Sequence, residues 1–310
     1  MILNTGGRTD TVQYYSEWLL NRFREGYVLS RNPLFPNTIN RIELSPDKID
    51  VVVFCSKDYS PILENLHQIY NRFRCYYHYT ITAYDTDIEP NVPLIEQSVK
   101  TLKKLSQMVG KQKVAWRYDP VLLTEKYSVS RHIETFDYLA KELTPYVDRC
   151  IFSFVGMYKK LAYNMPELQP VADNDKIFLA KNFGEIAKKY GLYLQTCGER
   201  NDYSKFNIHK SGCLTAEILG KALNVKFKKT PYKPSRHGCG CLDCRGLGDY
   251  NSCPNGCRYC YANNDHVKAQ ENYLSHDPLS PLLLGHILDT DIIKPAVQTS
   301  FLDNEPSLFG

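Results

Sequence analysis

No apolar run in this chain approaches the length of a membrane span; the longest, Ile49 to Cys55, is interrupted by Asp50. The start, MILNTGGRTD, has neither the basic lead nor the apolar stretch of a signal peptide. Both absences lead to the expectation of a cytoplasmic protein with no membrane partner. An excess of charge of one sign is small as well. The net charge is +4, with basic residues scattered except in KFKKTPYK (226–233), so the balance admits a nucleic-acid partner without indicating one. Internal sequence repeats and low-complexity tracts are missing, which argues against solenoid and disordered classes. No conventional acid–base pair or nucleophilic triad stands out either. Asp85, Asp119 and Glu199 are placed for proton or hydrogen-bond roles, although loop solvation accounts for any one of them.

What the chain does have is size and cysteine. Its 310 residues, 43% hydrophobic and 23% charged, suffice for a buried core in one larger domain, alone or with an appendage. Eleven cysteines in a chain without an export signal are poor candidates for disulfides in a reducing compartment, so metal or redox chemistry is the better reading. Six of them, Cys239, Cys241, Cys244, Cys253, Cys257 and Cys260, fall within 22 residues. Cys55, Cys75 and Cys150 lie in apolar, strand-like surroundings and read as core.

From the N-terminus, β-rich runs alternate with segments of helical period. ILNT precedes 11–25, IDVVVFC precedes 61–73, YYHYTITAY precedes 93–109, KVAWRY precedes 130–145, RCIFSF precedes 174–190, and LYLQT follows. Such repeats imply a parallel sheet with right-handed crossovers, and six of them suit a TIM-type βα barrel, partial or closed, better than a flat doubly wound sheet. Polar groups gather at the strand ends in GGRTD (6–10), SKD (56–58), AYDTD (83–87), RYDP (117–120) and CGE (197–199), where barrels build their sites. Arg8, Arg117 and Asp119 are the best single candidates, the latter two expected to project from a strand tip toward an anionic or zwitterionic ligand. For any one of these residues a helix-capping role is the plainer account. The expected division is a barrel core over 1–200 and a cysteine-rich segment over 201–310. In the latter, DPLSPLLLGHI is read as a short apolar helix that completes the barrel.

Thiolates select zinc or iron-sulfur clusters. Cys241 with Cys244 and Cys257 with Cys260 form two C-x2-C pairs twelve residues apart, which suits zinc. Against that, Cys253 makes the second group C-x3-C-x2-C, and Cys239 makes the first C-x-C-x2-C. Three thiolates on one tight loop suit a cubane whose fourth iron is left to a small molecule. Gly256 lets such a loop curl, and Tyr259 offers a ring to flank a cofactor. Cys197, Cys213, Cys239 and Cys241, with Cys244 as competing ligand, form the candidate second site, a cluster or a zinc.

The loop Cys253, Cys257, Tyr259, Cys260 resembles the cluster loop of radical S-adenosylmethionine enzymes. The wider chain, including RTD (8–10), REGYVLSRNP (24–33), IEPNVP (88–93), WRYDP (116–120) and the stretch from CGC to YCYAN (239–263), resembles the uncharacterised bacterial family DUF1848. The resemblance implies a [4Fe-4S] cluster, or two, S-adenosylmethionine as co-substrate and an electron donor such as a flavodoxin or ferredoxin. It names no substrate: a small molecule, a peptide and a nucleic acid all stay open. In radical S-adenosylmethionine enzymes the cluster loop follows the first barrel strand, whereas here it comes after the sixth unit. The expectation is therefore a permuted barrel in which Leu247 to Asn251 run beside Ile2 to Thr5. Gly6 and Gly7 then resemble the glycine pair under the methionine amine, with Arg8 where that motif has an acidic residue. The competing expectation is a non-catalytic or electron-transfer barrel, braced by iron-sulfur or zinc, that binds a ligand.

Overall fold

A computed structural model of the chain describes residues 1–228 and 239–303; Lys229 to Lys233 of the basic stretch and the end of the expected second segment lie outside them. Eleven strands are present among these residues: β1 Ile2–Asn4, β2 Tyr27–Arg31, β3 Thr38–Glu43, β4 Val51–Ser56, β5 Cys75–Thr80, β6 Val114–Val121, β7 Arg149–Phe154, β8 Leu194–Thr196, β9 His209–Lys210, β10 Cys244–Gly246 and β11 Ile292–Pro295. Eight form one parallel sheet in the order β10-β1-β4-β5-β6-β7-β8-β9, and β11-β3-β2 form a second. The hairpin β2–β3 had no counterpart in the sequence reading.

Side-chain alternation along the strands sorts the large sheet into two faces. Leu3, Val52, Phe54, Tyr77, Trp116, Tyr118, Phe152 and Leu194 point to a layer of helices and share its core. In that layer, helix Ile95–Val109 buries Val99, Leu102, Leu105 and Val109, the spacing of one helical face. Phe136 and Phe183, on helices Val129–Leu143 and Asp173–Tyr190, stack at 4.2 Å between centroids. On the opposite face Ile2, Val51, Val53, Tyr76, Ala115 and Ile151 meet Leu214, Ile218, Leu219 and Ala222, so helix Ala216–Leu223 covers it.

The expected barrel is not closed: β10 and β9 are the sheet's edges, and no pairing joins them among the described residues. The edge strands have three and two residues, too few for an extended ladder, and helix Ala216–Leu223 fills the face a closed ring would have packed on itself. Chain order is nevertheless kept from β4 to β9, with no switch point of the doubly wound kind. The late strand β10 pairs with β1 in parallel, Cys244 opposite Ile2 and Gly246 opposite Asn4.

The helix expected at DPLSPLLLGHI is absent. Pro278 and Pro281 remove backbone donors, and the helix of this region is His266–Leu274. Residues 278–280 form instead an irregular strap over helix Ser16–Glu25, accepting hydrogen bonds from Trp18, Asn21 and Arg22 at 2.8, 3.0 and 3.0 Å. No helix of the described residues is long and apolar enough to cross a membrane.

Candidate metal centres

Two cysteine groups stand on this scaffold. The first draws on three separate places in the chain. Cys197 follows β8 directly, Cys213 lies between β9 and helix Ala216–Leu223, and Cys241 precedes β10. Their sulfurs lie within 4.8 Å of one another, with Cys213 to Cys241 at 3.3 Å and Cys197 to Cys241 at 4.0 Å. Backbone contact sets this geometry. A Cβ on Gly212 would stand 2.4 Å from the carbonyl carbon of Gly240, so only glycine lets the two segments touch and brings Cys213 to Cys241. Leu242 N–H donates to Leu214 O at 2.8 Å, and the buried Gln195 amide donates to Gly212 O at 3.0 Å while accepting from Arg149 at 2.8 Å.

Hydrogen bonds from Cys197 and Cys241, assisted by the Arg117 guanidinium, hold the Cys213 thiol well below its ordinary range. Burial pulls on Arg117 in the opposite sense, but Asp119 and the thiols of Cys213, Cys55 and Cys197 keep it firmly protonated. This is a thiol group with its own cation, the kind of donor set that holds a metal.

The second group is local. Residues 252–263 fold over the tips of β1, β4 and β5. Arg8 Nε donates to Gly248 O at 2.7 Å, the Thr9 hydroxyl pairs with that of Ser252, and the Tyr261 hydroxyl donates to Gly7 O. Asn91 donates to Pro254 O at 2.7 Å, Arg258 N–H to Ile88 O at 3.0 Å, and Asn263 Nδ2 to Cys253 O at 2.6 Å. Gly6 packs so closely that a Cβ there would lie 2.1 Å from Cys55 O. Cys253, Cys257 and Cys260 are thus on the same side as Gly6 and Gly7, but their sulfurs do not gather as closely as those of the first group. Burial pushes the Cys253 thiol up to about 12 and also raises that of Cys257 well above its ordinary value. Under this loop Lys57 Nζ meets Glu89 at 2.8 Å, and Glu89 also accepts from Thr82 and from the Tyr259 hydroxyl.

Several residues are not where the sequence suggested. Arg117 and Asp119 do not project from a strand tip, because β6 continues to Val121. They pair with each other on the sheet face opposite the helix layer, the inner face, where Ser153 also donates to Asp119. Arg8 is a tether, its guanidinium 5.5 Å from the Tyr250 ring centre. Tyr259 is held by Glu89 and packs on Tyr84. Cys239 is buried outside the tight group and Cys244 is half-buried. Cys75 and Cys150 are core, whereas Cys55 is on the inner face with Sγ 3.6 Å from His78 Nδ1. Lys57 falls within the strand-end stretch SKD, whereas neither His78 nor Glu89 belongs to a strand-end stretch. The signal for His78 was the strand alternation of YYHYT, which puts it on the same face as Tyr76.

Fold and site together define an α/β protein with a group of three cysteines at a parallel sheet whose spacing could hold a metal ion. The chain belongs to the family described as a domain of unknown function, DUF1848, whose family model matches residues 2–262. No curated protein and no solved structure matches it.

Proposed function

We propose that this protein is a radical S-adenosylmethionine enzyme acting on a substrate still to be found. The observation that carries the reading is the C-x3-C-x2-C loop anchored over the tip of β1 beside Gly6 and Gly7. A strand late in the chain, β10, leads into that loop and pairs with β1, which supports a partial, permuted barrel. Three cysteines on one loop fit a cubane: thiolates on different irons stand farther apart than thiolates on one ion, and these sulfurs do not converge as those of Cys197, Cys213 and Cys241 do.

When bound, the [4Fe-4S] cluster supplies an electron that cleaves S-adenosylmethionine to the 5′-deoxyadenosyl radical, with a flavodoxin or ferredoxin as the class of donor. The chain's own part is to hold and shield. Cys253, Cys257 and Cys260 are the proposed ligands. Ala262 N–H donates to Cys260 Sγ at 3.3 Å, stabilising a thiolate. Lys57, whose ammonium burial disfavours but Glu89 and Cys257 sustain, places positive charge beside Cys257. Gly6, Gly7 and Arg8 form the floor under the loop, and Tyr259 closes its side. Arg117 and Asp119 are proposed to position substrate from the inner face.

The test is anaerobic reconstitution with iron and sulfide, reduction, and assay of 5′-deoxyadenosine. Formation that depends on Cys253, Cys257 and Cys260 is expected; a reduced, iron-loaded protein that leaves S-adenosylmethionine intact refutes the reading. A second reading, a metal-braced binding protein without catalysis, draws on the tight Cys197–Cys213–Cys241 group, and that result would favour it.

A further inference from the structure

The geometry points to a second, mononuclear centre: one zinc-type divalent ion on Cys197, Cys213 and Cys241, with an open fourth position that takes the sulfur of a small thiol. This inference does not rest on the radical reading, since it concerns other cysteines and stands if the loop at 253–260 holds nothing.

Nuclearity follows from spacing. Four tetrahedral bonds of ~2.3 Å put thiolates about 3.8 Å apart around one zinc. The sulfur separations of 3.3 and 4.0 Å, all three atoms lying within 4.8 Å, bracket that value. Thiolates on separate corners of a cubane stand too far apart to match them. No fourth cysteine, histidine or carboxylate among the described residues joins the group, and three protein ligands with an open place is the arrangement of catalytic rather than structural zinc.

The surroundings of the open place are polar. His78 is buried; its Nε2 makes no hydrogen bond of ordinary geometry, and the ring has only a loose one to the Cys213 backbone. An imidazole nitrogen so weakly satisfied in an interior gains from a better partner at the site. The Arg117 cation also faces Cys213. Cys213 and Cys241 are half-buried, so a small molecule can reach them.

The chemistry of the occupant follows from charge and softness. Three thiolates outweigh a divalent ion and leave a net negative set, a weak acidifier of bound water. A soft set of this kind suits a soft donor. The entering thiol binds as thiolate, displaces water and releases its proton to solvent, with Arg117 offsetting the added negative charge and His78 Nε2 next to the newcomer.

The test uses the full chain carrying Cys253→Ala, Cys257→Ala and Cys260→Ala, loaded with cobalt, with cobalt-edge absorption of the otherwise unaltered protein as the check should that variant not fold. Expected are about one cobalt per chain with about three sulfur neighbours and one lighter atom. With 2-mercaptoethanol as probe, the sulfur count rises to about four and the thiolate charge-transfer band grows. Cys241→Ser loses the metal, and Cys239→Ser keeps it. His78→Gln retains cobalt but weakens probe binding about tenfold. Four protein sulfurs before the probe is added, no response to the probe, loss of metal in Cys239→Ser, or an iron-sulfur cluster assembled on these cysteines would each overturn the inference.

Discussion

The two cysteine groups of this molecule are built in opposite ways. Cys253, Cys257 and Cys260 come from one continuous loop, pinned from outside by Arg8, Thr9 and Asn91 and tied down by its own Tyr261 on Gly7 O. Cys197, Cys213 and Cys241 come from three distant segments drawn together by tertiary contacts, chiefly the backbone touch of Gly212 on Gly240. The loop's ligand spacing is written in the sequence, and burial pushes up its Cys253 and Cys257 thiols. The convergent group has a cation built in, and its central thiol is held down. A local loop needs only to be held in place, whereas a convergent centre needs the fold around it to be correct. The two therefore respond differently to substitution.

The largest expected separation comes from Cys257→Ala. Iron content and S-adenosylmethionine cleavage should both be lost, while metal at the convergent group is unchanged in metal analysis. Loss of both metals at once would show that the centres are not independent.

Next is Gly212→Val, which touches no ligand. Its Cβ would stand 2.4 Å from Gly240, so the Cys213 and Cys241 segments must part. Metal affinity at the convergent group should fall by about tenfold to a hundredfold, as read by competition with a chelator, and the loop's iron should be retained. Unchanged affinity would mean that the glycine contact does not set the sulfur spacing.

The smallest effect on either centre is expected from His132→Gln. This imidazole sits under the helical layer, Nε2 donating to Leu122 O at 2.8 Å and Nδ1 accepting from the Tyr118 hydroxyl at 2.8 Å. Burial lowers its pKa from 6.5 to about 4. Between these values the unfolded chain binds a proton that the folded chain does not. Stability is therefore full above about pH 6.5 and is lost as pH falls toward 4, by up to about 3 kcal/mol. The variant should flatten that slope in denaturant titrations across this window while both metals stay bound.

Much of this was legible in the sequence, for physical reasons. The strand and helix runs of the parallel sheet follow from period alone, and the loop's C-x3-C-x2-C spacing is local information. Cys197, Cys213 and Cys241 were also candidates, but with Cys239 beside them. What separates Cys239 from the other three is the Gly212–Gly240 contact, which no periodicity announces. The hairpin β2–β3 went unseen because YVLSR and TINRIE are short and half polar, with only one face against the core. The missing C-terminal helix turned on two prolines in an otherwise apolar run. Sheet closure depends on how long the edge strands remain paired, and β9 and β10 read as loop because they have two and three residues.

The most direct measurement is low-temperature electron paramagnetic resonance of the anaerobically reconstituted, reduced protein before and after S-adenosylmethionine is added. Expected is the signal of a reduced [4Fe-4S] cluster whose shape changes on addition, as a nitrogen and an oxygen donor reach the iron that no cysteine holds, and which is absent in Cys257→Ala. A reduced cluster whose spectrum ignores S-adenosylmethionine, or one that survives in Cys257→Ala, would contradict it.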